Sequence, residues 1–166
     1  MITKTENSSF RDPSGFIFYR GGICYRQINP VYKQNYEYFL ESGLYEKFIK
    51  KGFLIPHETV NTDHLPFSNG YRTIRPECIP FVSYPYEWCF TQFKNAALLT
   101  LTILKHALSH NMILKDANAY NIQFYQGQPI LIDTLSFEKY QEGEPWSGYK
   151  QFCENFLNPL ILGSLK

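Results

Sequence analysis

The sequence predicts an α+β fold, with a small β-rich half holding one helix and then a helical half interrupted by a hairpin. Three observations carry that prediction. Aromatic and β-branched runs at Phe16–Arg20 and Ile23–Ile28 meet at Gly21-Gly22, the signature of a tight hairpin. Apolar residues recur at three- and four-residue spacing from Tyr32 to Phe48, which marks a helix. A stretch free of Gly and Pro, Phe93–Ser109, precedes two short apolar runs around Gly127, giving a long helix and then a second hairpin.

Each element follows in order. Residues 1–14 are polar and are expected to form a flexible N-terminus. After the first hairpin, Asn29-Pro30 opens the helical pattern of Tyr32, Tyr36, Phe39, Leu40, Leu44 and Phe48. Ser42-Gly43 interrupts it, so one kinked helix or two short ones should end at Gly52. Phe53–Pro56 can start a strand, and Asn61–Gly70 reads as a polar loop. Tyr71–Ile74 and Ile79–Tyr84 look extended, with Pro76, Pro80 and Pro85 limiting them to short or edge strands. In the long helix Phe93, Ala97, Leu101, Leu104 and Leu108 fall on one stripe, expected to be core, and Ala96, Leu98 and Leu99 broaden the buried face. Ile122–Tyr125 and Pro129–Ile132 flank Gln126-Gly127-Gln128, and Tyr149–Leu157 is an amphipathic helix. The expected division is a flexible terminus at 1–14, a β-rich lobe with one helix and a hinge at 15–88, and a helical portion at 89–166. Ser83-Tyr84-Pro85-Tyr86-Glu87-Trp88 is the expected hinge.

Composition narrows the function classes. The 166 residues suit one domain with a real core, and aromatics reach 17% while charged residues stay at 19%. A formal charge of +1 gives no electrostatic case for nucleic acid or an anionic membrane. Cys24, Cys78, Cys89 and Cys153 form no CxxC pair, which argues against a zinc site or a secreted disulfide framework. His106 and His110 stand four apart, yet no acid between them supplies an HExxH pattern. With no N-terminal apolar h-region and no apolar run long enough to span a bilayer, a cytoplasmic protein is expected. The end, Leu157–Gly163, is too apolar for a solvated tail, so a longer parent protein is expected.

One constellation points to a chemistry. Leu114-Lys115-Asp116-Ala117-Asn118-Ala119-Tyr120-Asn121 is answered downstream by Ile132-Asp133-Thr134. Asp116 and Asn121 lie five residues apart, and a turn centred on Gly127 would set Asn121 opposite Asp133, with Cβ atoms about 5 Å apart. Asp and Asn also cap loops and turns routinely, so the residues by themselves leave a purely structural role open.

This layout resembles the protein-kinase-like fold, particularly its aminoglycoside-phosphotransferase and atypical-kinase branches, a two-lobe architecture with a small β-rich N-lobe. Asp116 and Asn121 match the aspartate and asparagine of the HRDxxxxN loop, and Asp133 matches the aspartate of DFG, followed here by Thr134-Leu135. The resemblance implies ATP and magnesium as cofactors. Asp116 would take the acceptor's proton, and Asn121 and Asp133 would hold the ion against the phosphates. The sequence departs from the pattern in several places. Leu114 stands where the loop usually has histidine, and no GxGxxG precedes the first hairpin. The strand expected to carry the VAIK lysine reads Ile23-Cys24-Tyr25-Arg26, so Arg26 is the candidate phosphate contact, with Glu37 or Glu41 as its helix partner. The residues after Asp133 are few for a whole C-lobe, which implies a truncated one.

A second resemblance covers nearly the whole chain. Tyr25-Arg26-Gln27-Ile28-Asn29-Pro30, the Ser83–Trp88 segment and Leu114 through Phe137-Glu138 are similar to the N-terminal region of bacterial proteins described as SAM-dependent methyltransferases, some of them nodulation-related. No glycine-rich strand–turn–helix here could receive SAM, so that cofactor would belong to an attached methyltransferase domain. The expected function is a kinase-like nucleotide- and magnesium-binding module, a pseudoenzyme serving that attached domain. The alternatives are an active ATP-dependent phosphotransferase on a hydroxyl substrate and a non-catalytic α+β interaction domain; a small molecule or nucleotide is the expected ligand.

Overall fold

The computed structural model describes residues 3–6, 12–61 and 69–165. It is a mixed α+β structure of two compact units, Met1–Glu37 with Pro56–Cys78 and Tyr38–Ile55 with Ile79–Lys166. Packing therefore draws the border elsewhere than the sequence suggested: residues 38–55 belong to the second unit, which resumes at Ile79.

The first unit is built on a five-stranded antiparallel sheet in the order β1-β2-β3-β5-β4. Its strands are β1 (Thr3–Thr5), β2 (Gly15–Arg20), β3 (Ile23–Ile28), β4 (His57–Val60) and β5 (Arg72–Pro76). The β2–β3 turn places Gly21 at φ 59° and Gly22 at φ 81°, a left-handed pair that glycine adopts without a Cβ penalty. Thr3–Thr5, expected within a flexible terminus, pairs instead with Phe18–Arg20. Phe18, Ile28 and Ile74 are buried, as are Tyr32 and Tyr36 of the helical segment, and together they supply this unit's apolar interior. The expected loop at 61–70 lies largely outside the described residues.

Helix α1 (Lys33–Glu41) crosses from the first unit into the second, after a 3-10 turn at Pro30–Tyr32. Gly43, at φ 74°, breaks the helical path before α2 (Leu44–Lys51), so the chain takes two short helices rather than one kinked one. Gly52 closes α2 in the left-handed conformation, its N–H donating to carbonyls of the last turn.

Residues 79–84 form no strand. Pro80 cannot donate to a ladder and Pro85 restrains Tyr84, so the segment runs as bends into a 3-10 turn at Pro85–Glu87. Phe81 and Val82 are exposed there. Helix α3 (Phe90–Leu108) starts three residues earlier than expected because Cys89 N–H donates to Gln92 Oε1 at 3.0 Å, a capping arrangement. Its buried face is Ala96, Ala97, Leu99, Thr100, Ile103 and Ala107, whereas Leu98, Leu101 and Leu108, all expected in the core, are exposed. Alanines let neighbouring elements come closer than leucines would, and the helix turns that narrow stripe inward.

The rest of the second unit is a set of short ladders against α3. β6 (Met112–Leu114) pairs with β9 (Phe137–Lys139), and β7 (Ile122–Tyr125) pairs with β8 (Gln128–Leu131). Phe53–Ile55 lies along the free edge of β8, with Leu131 N–H donating to Phe53 O and Ile55 N–H to Leu131 O, both at 2.9 Å. Phe39 stacks on Phe137 with centroids 4.7 Å apart, and Phe48 approaches the same ring at 5.6 Å. Full burial of each such side chain contributes about 1.5–3 kcal/mol. The final helical run is α4 (Tyr149–Phe152), a π-helical turn at Cys153–Leu157 and α5 (Asn158–Ser164). Pro159 explains the π turn: it has no N–H for the carbonyl of Asn155, and its ring crowds that carbonyl.

Candidate functional site

The β6–β9 ladder and the β7–β8 hairpin gather the loops carrying Asp116, Asn121 and Asp133 into one region of the second unit. Lys115 N–H donates to Ser136 O at 2.8 Å, extending the first ladder by one rung, and Asp116 leaves the strand directly after that rung. Asp133 stands three residues before Ser136 on the incoming side. Asn121 closes a 3-10 turn at Ala119–Asn121, and its carbonyl accepts Ile132 N–H at 2.8 Å at the open end of the hairpin.

That register corrects the expected one. Gln126 at φ 51° and Gly127 at φ 77° make a two-residue left-handed turn, so Tyr125 pairs with Gln128 and Ile122 with Leu131. Asn121 therefore faces Ile132, not Asp133, and the two candidate ligands are staggered by one residue. A three-residue turn would have set them directly opposite. The two-residue turn wins because its twist matches that of the strands, and Gln126 tolerates the left-handed conformation it requires.

Each acidic side chain spends one oxygen on its own loop. Asp116 Oδ1 accepts Asn118 N–H at 3.1 Å, and Asp133 Oδ1 accepts Leu135 N–H at 2.9 Å. These Asx turns fix the two loops, so a structural role is real for both residues. Asp116 Oδ2 makes no hydrogen bond among the described residues. The amide of Asn121 is uncommitted too: Nδ2 is buried without a hydrogen-bond partner. A buried unpaired donor costs about 1–3 kcal/mol, so this amide nitrogen is available to an acceptor.

Three residues that sequence reasoning passed over hold the Asp116 loop. Gln151 Oε1 accepts Ala117 N–H at 2.6 Å, and Asn155 Oδ1 accepts Ala119 N–H at 3.4 Å. Trp146 Nε1 donates to Leu114 O at 2.6 Å. Gly148 allows the close approach: a Cβ there would lie 2.7 Å from Trp146 Nε1 and 3.2 Å from the Ala117 methyl. The one available signal was a pair of amides at i and i+4, Gln151 and Asn155, beside Phe152 and Phe156 in the same helical run. Gln123, 4% exposed, is a fourth: its Oε1 accepts Ser83 N–H at 2.9 Å and its Nε2 donates to Ser83 O at 3.0 Å, tying the expected hinge to the hairpin. Within that segment Trp88 is buried, whereas Tyr84 and Tyr86 stack in the open at 5.5 Å.

The remaining candidates lie apart in the chain's organisation. Arg26, on β3 of the first unit, is 8% exposed and its Nη2 stands 3.4 Å from Asp12 Oδ2. Glu41 is exposed at the end of α1 and belongs to the second unit. Glu37, in the first unit, accepts the Tyr71 hydroxyl at 2.8 Å on Oε1 and faces Lys33 at 3.9 Å. Among the described residues no group of three or more His, Cys, Asp or Glu could hold a metal, and no helix is long and apolar enough to cross a membrane. One amide and one carboxylate still suit magnesium, which takes few protein oxygens and completes its shell with water and phosphate.

Comparison with known proteins places this geometry beside a named relative. The chain is 35% identical over 159 residues to nodulation protein NoeA of Rhizobium meliloti (strain 1021), a match covering 95% of this chain and 33% of that protein. It thus spans about a third of the length of this relative, and the nodulation-related part of the sequence resemblance is met over nearly the whole chain. Among solved structures, vaccinia related kinase 3 superposes with a TM-score of 0.48 and 12% identity, covering 83% of this chain and 48% of that one. No family model matches.

Proposed function

We propose that this chain is a kinase-like nucleotide- and magnesium-binding module that works as the leading part of a longer protein. The observation that carries the reading is the junction itself, where the Asp116 loop, the turn closed by Asn121 and the strand leading to Asp133 meet, with the Asn121 carbonyl accepting Ile132 N–H. Asn121 through Oδ1 and Asp133 would hold the ion, the buried Asn121 Nδ2 would donate to a phosphate oxygen, and Asp116 would face the acceptor with Oδ2. A bound magnesium would supply charge neutralisation across the nucleotide phosphates. The chain's own residues do the rest: the two Asx turns, Trp146, Gln151 and Asn155 fix the loop so that the site needs no reorganisation on binding.

Arg26 favours a binding role over catalysis. Its guanidinium is already paired, with Nη2 3.4 Å from the partly exposed Asp12 carboxylate. The module is therefore read as a pseudoenzyme, and the attached part of the longer protein, a SAM-dependent methyltransferase by the resemblance, as what it serves. An active phosphotransferase is the second reading, favoured by the uncommitted Oδ2 of Asp116. Calorimetric titration of a non-hydrolysable ATP analogue tests the first. Binding to the wild type should require magnesium, and Asp133→Ala should weaken it at least about tenfold, the loss of one charge-assisted contact. Magnesium-independent binding, or an unchanged affinity in Asp133→Ala, would overturn the reading. Phosphate release or transfer by the wild type, abolished in Asp116→Asn, would instead select the phosphotransferase.

A further inference from the structure

The first unit carries a cluster of charge that the nucleotide reading does not use. Arg72, the first residue of β5, sits with its guanidinium carbon 5.6 Å from the ring centroid of Tyr36 and 5.2 Å from that of Tyr71. One Nη donates to the Tyr71 hydroxyl at 3.3 Å. The two neighbouring arginines of this unit are neutralised, Arg26 by Asp12 and Arg75 by Glu58. Arg72 differs, since among the described residues it has no carboxylate partner. Lys33, at the start of α1, brings its Nζ within 5.2 Å of the same Tyr71 ring. Glu37 opposes the pair, with its carboxylate 3.9 Å from Lys33 and accepting the Tyr71 hydroxyl. Among the described residues one carboxylate therefore stands against two cations, and His57 beside them adds none while neutral. Their sum is a single positive charge, held on a guanidinium that two tyrosine rings flank.

We propose that Arg72 and Lys33 form a binding site for a phosphate group on the first unit. A guanidinium fork meets two oxygens of a tetrahedral oxyanion at once, and a lysine ammonium reaches a third as a point charge. Aromatic clamping cuts the entropy lost when the arginine engages its ligand, which is why a ring-sandwiched arginine makes a better receptor than a free one. All the residues involved belong to the first unit, so this site stands or falls independently of Asn121 and Asp133.

The test is an NMR titration of the whole chain with inorganic phosphate and, separately, with glycerol 3-phosphate, at ionic strength held constant with chloride. The site predicts saturable shifts at Arg72 and Tyr71 with at least one probe, and the tighter probe tells whether a free ion or a phosphate ester is the ligand. Arg72→Gln should weaken binding about tenfold or more, while Arg75→Gln, whose arginine is already paired, should leave it unchanged. A second readout needs no variant. Phosphate bound at Arg72 offsets the charge that repels a proton from His57, so the His57 titration midpoint should rise on saturation. Non-saturable shifts, equal affinity in Arg72→Gln, or a His57 midpoint unmoved by phosphate would each overturn the proposal.

Discussion

Phe137→Ala is expected to lower the unfolding free energy by about 3–5 kcal/mol, the usual cost of deleting a large buried aromatic. The ring is fully buried, stacks on Phe39 and lies against Phe48, so removal loses transfer energy and leaves a cavity among rigid aromatic neighbours. Phe137 also pairs with Leu114 in the β6–β9 ladder, directly beyond the rung that launches Asp116. The same substitution should therefore loosen the Asp116 loop. Urea unfolding checks the stability change, and amide exchange at Ala117 and Ala119 checks the loop. A loss below about 1 kcal/mol would mean that the aromatic cluster does not organise the second unit as described.

Acid should destabilise the protein through His57 by a comparable amount. Burial, with the Arg72 charge adding to it, lowers the His57 pKa from 6.5 to about 4. Its ring meets the Tyr36 hydroxyl at 2.9 Å through Nε2. Because the folded value is the lower one, the unfolded chain binds more protons between those two pH values. Stability is then fully present above about 6.5 and falls as pH drops towards 4. That gap corresponds to about 3 kcal/mol, at about 1.4 kcal/mol for each tenfold change in proton affinity. Melting curves from pH 7 to 4 should show this loss, and His57→Gln, which titrates nowhere in that window, should remove most of the slope. An equal slope in His57→Gln would assign the acid sensitivity to other groups.

What the sequence made legible, and what it did not, follows from the range of the interactions. The β2–β3 hairpin was legible because Gly21 and Gly22 both need left-handed backbone, a requirement written in two adjacent residues. The break between α1 and α2 was legible at Gly43 for the same reason. Hairpin register was not, since the left-handed state of Gln126 leaves no mark in the residue type, and one residue of turn moved Asn121 from Asp133 to Ile132. Helix α3 was recognisable by its length and composition, and Ala96, Ala97 and Leu99 were placed inward correctly, whereas Leu98, Leu101 and Leu108 were not. Leucines line more than one side, so periodicity alone does not say which of them faces out. Thr3–Thr5 joined the sheet against a polar composition because edge pairing with β2 satisfies backbone groups regardless of side chain. Within the candidate site, local spacing revealed Asp116, Asn121 and Asp133. The clamp of Trp146, Gln151 and Asn155 spans more than thirty residues, and its one local trace is the Gln151 and Asn155 amide pair, which does not say what the amides hold.

The claim on which the account turns is that Asn121 and Asp133 hold one ion despite the stagger in their register. Paramagnetic broadening by manganese, substituted for magnesium with the ATP analogue present, measures this most directly. In the wild type the side-chain amide signals of Asn121 should broaden beyond detection at substoichiometric manganese and survive in Asp133→Ala. Asn121 signals that stay sharp in the wild type at saturating nucleotide and manganese would contradict the account, and would leave the three polar residues as the caps of a loop and a hairpin.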